Sequence, residues 1–138
     1  MSKKYKFGIV ASCYNKEYVD ALLAATEKGL HGHKTTVVRV PGAFEIPLQI
    51  QRLARSKNFD AVIALGIVWQ GKTAHAAEIV RAVTDALMRI SLKHDVPVIH
   101  QVLSVKTEKE AVERTKGDKL NRGHEAAKAA LAVAALKG

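Results

Sequence analysis

Two hydrophobic periods alternate along the chain, and together they predict strands separated by helices. Lys6–Ser12 (KFGIVAS) reads as a short buried strand. Asn15 then offers a side-chain oxygen for a helix N-cap, with Glu17 in the first turn, where the helix dipole favours an acid. Val19, Leu22, Leu23 and Leu30 fall on one face of that helix, and Gly29 and Gly32 mark its end. Thr35–Val40 (TTVVRV) is β-branched and strand-like, stopped by Pro41-Gly42. Ile46, Ile50, Leu53 and Ala54 form the next helical stripe, with Pro47 tolerated in the first turn. Ala61–Leu65 (AVIAL) is apolar throughout, as a parallel strand covered on both faces should be. A helix after Thr73 buries Ile79, Val83, Leu87 and Ile90, and Val96–Leu103 supplies a fourth strand. Thr107–Thr115 and Asn121–Leu136 complete the set as two helices broken around Lys116–Leu120. The last is rich in alanine, which permits close approach of a neighbour.

Four strands alternating with helices predict an α/β three-layer sandwich: a four-stranded parallel sheet, doubly wound in the flavodoxin-like manner. Such sheets bind ligands at the carboxyl ends of their strands. That places the expected site at Ser12–Asn15, Pro41–Glu45, Gly66–His75 and Ser104–Lys106. The 138 residues fit one domain, and 48% hydrophobic with 25% charged residues is globular composition. One cysteine, Cys13, supports neither a disulfide framework nor a cysteine-based zinc site. No apolar run approaches the ~20 residues of a membrane span, and the first residues lack a signal-peptide apolar region, so a cytoplasmic protein is expected.

Lys and Arg number 22 against 13 Asp and Glu, a net charge of +9 that suits phosphate-bearing ligands. No run of like charges exceeds two residues and aromatics are only 5%, so the patterning argues against nucleic acid as the partner.

Gly66-Ile67-Val68-Trp69-Gln70-Gly71-Lys72-Thr73 satisfies the letters of the G-x-x-x-x-G-K-T phosphate loop. Its physics is wrong for a triphosphatase. Ile67, Val68 and Trp69 are too bulky for a loop that wraps its amides around a phosphate, and no other strand ends in an Asp able to hold magnesium. What survives is a helix start at Gly71-Lys72-Thr73. Thr73 either caps that helix or joins Lys72 in an anion site. His75 then falls in the first turn, where an acid/base could reach a bound anion. No pair among His31, His33, His94 and His124 has metal-ligand spacing, and His75 with Glu78 is two residues, not a metal site. Glu45 is either a first-turn acid or a hydrogen-bond acceptor for a polyol. Tyr14 is either a core aromatic or a stacking platform. Arg114, Lys116, Lys119 and Arg122 are either a solvated face or an anion clamp.

Taken together, these segments resemble the lumazine synthase family over nearly the whole chain. The resemblance rests on Tyr14-Asn15 after the first strand, VPGAFEIP at Val40–Pro47 and G-x-T-x-H at Gly71–His75. It continues through PVIHQVLS at Pro97–Ser104, E-A-x-x-R ending at Arg114, and N-R-G-x-E-A-A at Asn121–Ala127. It implies a condensation without metal or organic cofactor. The pyrimidine 5-amino-6-(ribitylamino)uracil joins 3,4-dihydroxy-2-butanone 4-phosphate to give 6,7-dimethyl-8-ribityllumazine, with loss of phosphate and water. By the same resemblance Tyr14 stacks on the pyrimidine, and Ala43, Phe44 and Glu45 hold the ring and ribityl chain. Ile67, Val68 and Trp69 line the ring pocket. Lys72, Thr73 and Arg114 bind the phosphate, Arg114 from a neighbouring subunit, and His75 is the general acid/base. His100-Gln101 stands where Phe-Gly is usual, so His100 occupies the place of the aromatic that closes the ring pocket from the adjacent subunit. Lys72 stands where a small or acidic residue is common, and Asp118 where a lysine is common.

The resemblance also implies self-association into a homopentamer or multiples of it. The alternative weighed beside the enzyme is a catalytically weak or inactive assembly scaffold of the same fold.

Overall fold

The computed structural model describes residues 3–72 and 74–136. Its centre is a parallel sheet of β1 (Lys6–Ser12), β2 (Lys34–Val40), β3 (Ala61–Trp69) and β4 (Val98–Val105), in the order β2-β1-β3-β4. Because side chains alternate across a strand, β1 and β3 each feed two separate cores. Phe7, Ile9, Ile63 and Leu65 pack on one face beneath α1 (Lys16–Gly29), α4 (Glu108–Thr115) and α5 (Arg122–Ala134). Val10, Val62 and Ala64 pack on the other beneath α2 (Ile46–Ser56) and α3 (Ala76–His94). Both faces of the sheet are covered, which is the expected three-layer sandwich.

β3 is buried along all nine residues and runs four residues beyond the expected Leu65. Gly66 through Trp69 therefore pair with Val102 through Val105 as strand, not loop, and their amides serve the sheet. This disposes of the phosphate-loop letters. Space is tight at Gly66: a Cβ there would stand 3.1 Å from Ile46 Cδ1 and 3.2 Å from Ser12 Oγ. β4 begins two residues later than expected and ends two later, because its partner is longer.

The helix boundaries carry two corrections. Asn15 does sit at the N-cap of α1, but at φ 58° and ψ 45° its side chain makes no capping bond. That left-handed backbone, which asparagine tolerates, is not the extended geometry that aims a side chain at the first amides. Asn15 Nδ2 instead donates to the Ile67 carbonyl at 3.1 Å, tying the β1 loop to β3. The helix after β3 begins at Ala76, so His75 is its N-cap and Gly71-Lys72 lie in the preceding turn. Leu23, Leu53 and Ile79 are partly rather than fully buried, being at the margins of their stripes.

The alanines of α5 let it lie close to α1. Ala126, Ala127, Ala130 and Ala134 are buried, and a Cβ on Gly123 would stand 2.6 Å from both Ala25 Cβ and the Leu22 carbonyl oxygen. Asn121 caps this helix well, its Oδ1 accepting the Gly123 and His124 amides at 2.9 and 3.1 Å. No helix among the described residues is long and apolar enough to cross a membrane.

Candidate active site

β1 connects to β2 on one side, and β3 lies on its other side, so the chain leaves neighbouring strands in opposite directions. A crevice opens at the carboxyl ends of strands where this happens. Here it is a cavity of about 260 Å³. Tyr14 reaches it from the end of β1, Gly42 to Glu45 from the end of β2, and Ile67, Val68, Trp69 and Lys72 from the end of β3. Eight of the expected site residues thus meet around one space.

Backbone bonds fix the rim. The Cys13 amide donates to the Val40 carbonyl at 2.7 Å and the Tyr14 amide to Pro41 at 3.0 Å, locking the first two loops together. Tyr14 and Phe44 stand 67% and 65% exposed at the opening. Large aromatics left in water beside a cavity mark a surface that something else covers. Residues 43–45 form a single 3₁₀ turn, and Glu45 Oε1 accepts the Gly42 amide at 2.9 Å. That bond holds the carboxylate in one rotamer at the cavity wall. Lys72 Nζ lies 4.2 Å from the centre of the Trp69 ring, and Tyr18 meets that ring edge-on at 5.7 Å.

His75 precedes α3 on the exposed side of this turn. Its Nδ1 is 3.0 Å from Glu78 Oε2. A carboxylate can only accept, so Nδ1 is the donor of this pair, and in the neutral imidazole the lone pair is on Nε2. Both side chains are about three-quarters exposed, and an ion pair so placed adds little stability. Its effect is orientation. The pair that sequence spacing offered only as an insufficient metal site is an imidazole with a fixed tautomer. Thr73 lies outside the described residues.

Three expected residues do not line this cavity: His75, which stands beyond Lys72 at the start of α3, Arg114 and His100. Arg114 Nη1 donates to the Ser104 carbonyl at 3.1 Å and lies 3.4 Å from Glu110 Oε2. Gln70 Nε2 reaches Ser104 Oγ at 2.6 Å, so the arginine and the loop after β3 meet on the same β4 residue. His100 faces α3, its Nε2 2.7 Å from Thr84 Oγ1 and its Nδ1 accepting the Val102 amide at 3.1 Å. Burial holds its pKa below the ordinary 6.5. The basic group at the α4–α5 break does not converge on the cavity either: Lys116 pairs with Glu17, and Arg122 with Glu125 at 2.8 Å.

Gly42 and Ile79 join the lining without having been given a binding role in the sequence. Gly42 stood within VPGAFEIP, and Ile79 looked like an ordinary core position. No group of three metal-ligating side chains occurs among the described residues. The arrangement combines aromatic platforms, a carboxylate, an ammonium and an oriented imidazole. These suit a flat polar ring, hydroxyls, a phosphate and a transferable proton.

The family model for 6,7-dimethyl-8-ribityllumazine synthase matches residues 4–138. The chain is 39% identical over 142 residues to the 6,7-dimethyl-8-ribityllumazine synthase of Pseudarthrobacter chlorophenolicus, covering 98% of this chain and 86% of that one. The enzyme of the same name from an Arthrobacter species is 41% identical, with 96% and 84% covered. That from Coxiella burnetii is 36% identical, with 96% and 91% covered.

Proposed function

Because the chain belongs to the 6,7-dimethyl-8-ribityllumazine synthase family, we propose that its cavity performs the family's condensation with the residues described above in the following roles. The reaction joins 5-amino-6-(ribitylamino)uracil to 3,4-dihydroxy-2-butanone 4-phosphate, releases phosphate and water, and yields 6,7-dimethyl-8-ribityllumazine. The observation that carries the assignment is the meeting of three strand ends around one cavity, each bringing a different kind of group.

Tyr14 and Phe44 offer ring faces to the pyrimidine, Ala43 and the aliphatic Ile67 and Val68 shape its slot, and Trp69 lies at its side. Glu45, held by the Gly42 amide, accepts from ribityl hydroxyls. Lys72 receives the butanone phosphate, together with Thr73. His75 moves the protons: Nε2 carries the lone pair that takes a proton from the ketose-derived carbon, and the imidazolium returns one when water leaves. Most of the remaining acceleration comes from holding two reactants in contact, which suits a site working without metal or organic cofactor.

The same reading makes the active unit a homopentamer or a multiple of it, working in the cytoplasm. Within one chain the aromatic rim is open, and His100 and Arg114 stand away from the cavity. Both fit a site completed by a neighbouring subunit, with Arg114 serving the next chain's phosphate and His100 its ring.

The test is to mix the two substrates with purified protein and follow lumazine absorbance. Turnover above the uncatalysed background is expected at catalytic protein concentrations. His75→Ala should lower kcat by about 10²-fold, the scale of a lost acid/base, while leaving the oligomer intact. Absence of turnover by folded, assembled protein would overturn the reading. Full activity of the variant would remove His75 from its role.

A further inference from the structure

The turn after β3 contains a contact that the condensation itself does not demand. Trp69 closes β3 at 9% exposure, and Tyr18 of α1 packs edge-on against its ring at 5.7 Å. Tyr18 is steadied in turn by Glu108 at 3.5 Å and by Lys116 Nζ, 5.1 Å from its ring centre. The indole therefore sits on a braced support. The Lys72 amide donates back to the Trp69 carbonyl at 3.3 Å, closing a four-residue turn in which Gly71 takes a left-handed φ of 89°. This turn carries Lys72 back over the residue three before it, with Nζ 4.2 Å from the ring centre. Among the described residues no carboxylate forms an ion pair with Lys72, although both Lys72 and Trp69 border the cavity.

We infer that Trp69 is a positioning residue for the phosphate-bearing substrate, holding the Lys72 ammonium at the cavity mouth ready for the phosphate. The inference rests on the reading of Lys72 as a phosphate ligand. A lysine on an exposed turn has four free rotors, and ordering it opposes binding. The indole face attracts the ammonium and narrows those rotors before substrate arrives. It does so without trapping the charge, because a phosphate offers full negative charge and hydrogen-bond acceptors where the ring offers only a quadrupole. A carboxylate in the same place would neutralise the lysine and compete with the ligand. An aliphatic residue would fill the space but leave the ammonium wandering in water. The contact is the same in the ground and transition states, so it acts on affinity and not on the chemical step.

The experiment is a double-mutant cycle on Trp69→Leu and Lys72→Met, reading KM for the butanone phosphate at saturating pyrimidine. Each single variant should raise that KM by about three- to tenfold with kcat within about twofold, and the double variant should be no worse than Lys72→Met alone. Multiplying effects in the double variant, or an unchanged KM in Trp69→Leu beside a raised one in Lys72→Met, would overturn the positioning role and leave Lys72 as a phosphate ligand. An unchanged KM in Lys72→Met would overturn that reading of Lys72, and the inference with it. Should Trp69→Leu fail to assemble, the wild-type protein supplies its own readout, since Trp69 is the chain's only tryptophan. Titration with inorganic phosphate should change its emission saturably, and Lys72→Met should abolish the change. Emission indifferent to phosphate in the wild type would sink the proposal.

Discussion

His100 shows how a single side chain can be fixed by what surrounds it. The Val102 amide donates to Nδ1, so the proton sits on Nε2 and is given to Thr84 Oγ1. An imidazolium would set a second N–H against the Val102 amide, and half-burial already disfavours the charge. That burial depresses its pKa from 6.5 in the folded chain. Below about 6.5 the unfolded chain takes up a proton that the folded chain refuses. The stability this histidine contributes is therefore complete above that pH and is lost progressively as pH falls beneath it. Between pH 7 and pH 5 the thermal midpoint of the wild-type protein should drop further than that of His100→Gln, measured by circular dichroism. Parallel drops would mean that other groups carry the acid sensitivity. At His75 the sequence showed an imidazole and a carboxylate three residues apart, but only the placed atoms show that Glu78 fixes the tautomer.

Among the elements, α5 and β3 were read with unequal success, for physical reasons. The alanine-rich composition of α5 pointed to close approach, and it packs on α1 where Gly123 lies against Leu22 and Ala25. Gly123→Ala puts a methyl 2.6 Å from a backbone carbonyl oxygen, which cannot swing aside as a side chain would. It should destabilise the protein by about 1–3 kcal/mol through separation of the two helices, despite alanine's better helix propensity. A denaturant titration would show the midpoint falling with little change in slope. A midpoint unchanged or raised would mean that the helices accommodate the methyl. The apolar run Ala61–Leu65 predicts a shorter β3, with Gly66 opening the phosphate-loop letters. A glycine inside a strand can equally mark close approach, and here Ile46 and Ser12 crowd it.

At the scale of the whole molecule, the proposed shared site turns the separation of Arg114 from the cavity into a test of assembly. A site whose His75 belongs to one chain and whose Arg114 belongs to the next can be rebuilt from two defective chains. His75→Ala and Arg114→Ala, each impaired alone, should regain activity when dissociated and reassembled together, with about one site in four complete under random mixing in a heterologous ring. Lumazine absorbance after reassembly checks this. Activity no higher than the average of the two separate variants would confine both residues to one chain's site. The net charge of +9 does not alter this picture: some of the cations are paired with local acids, as Lys116 is with Glu17 and Arg39 of β2 with Asp20.

Sequence alone determined the parallel α/β order, the helical stripes, and the strand ends on which chemistry would gather. Those features are repeated along the chain or written into contiguous blocks such as VPGAFEIP and G-x-T-x-H. It also told against a triphosphatase, because side-chain bulk is a local property. Only the tertiary structure decided where β3 ends, that Asn15 binds the β3 backbone instead of capping its helix, and that Lys72 rests on Trp69. Each of these depends on atoms brought together by the sheet or by a turn's handedness. Such encounters are settled by packing and backbone dihedrals, which no pattern of hydrophobic and polar letters specifies.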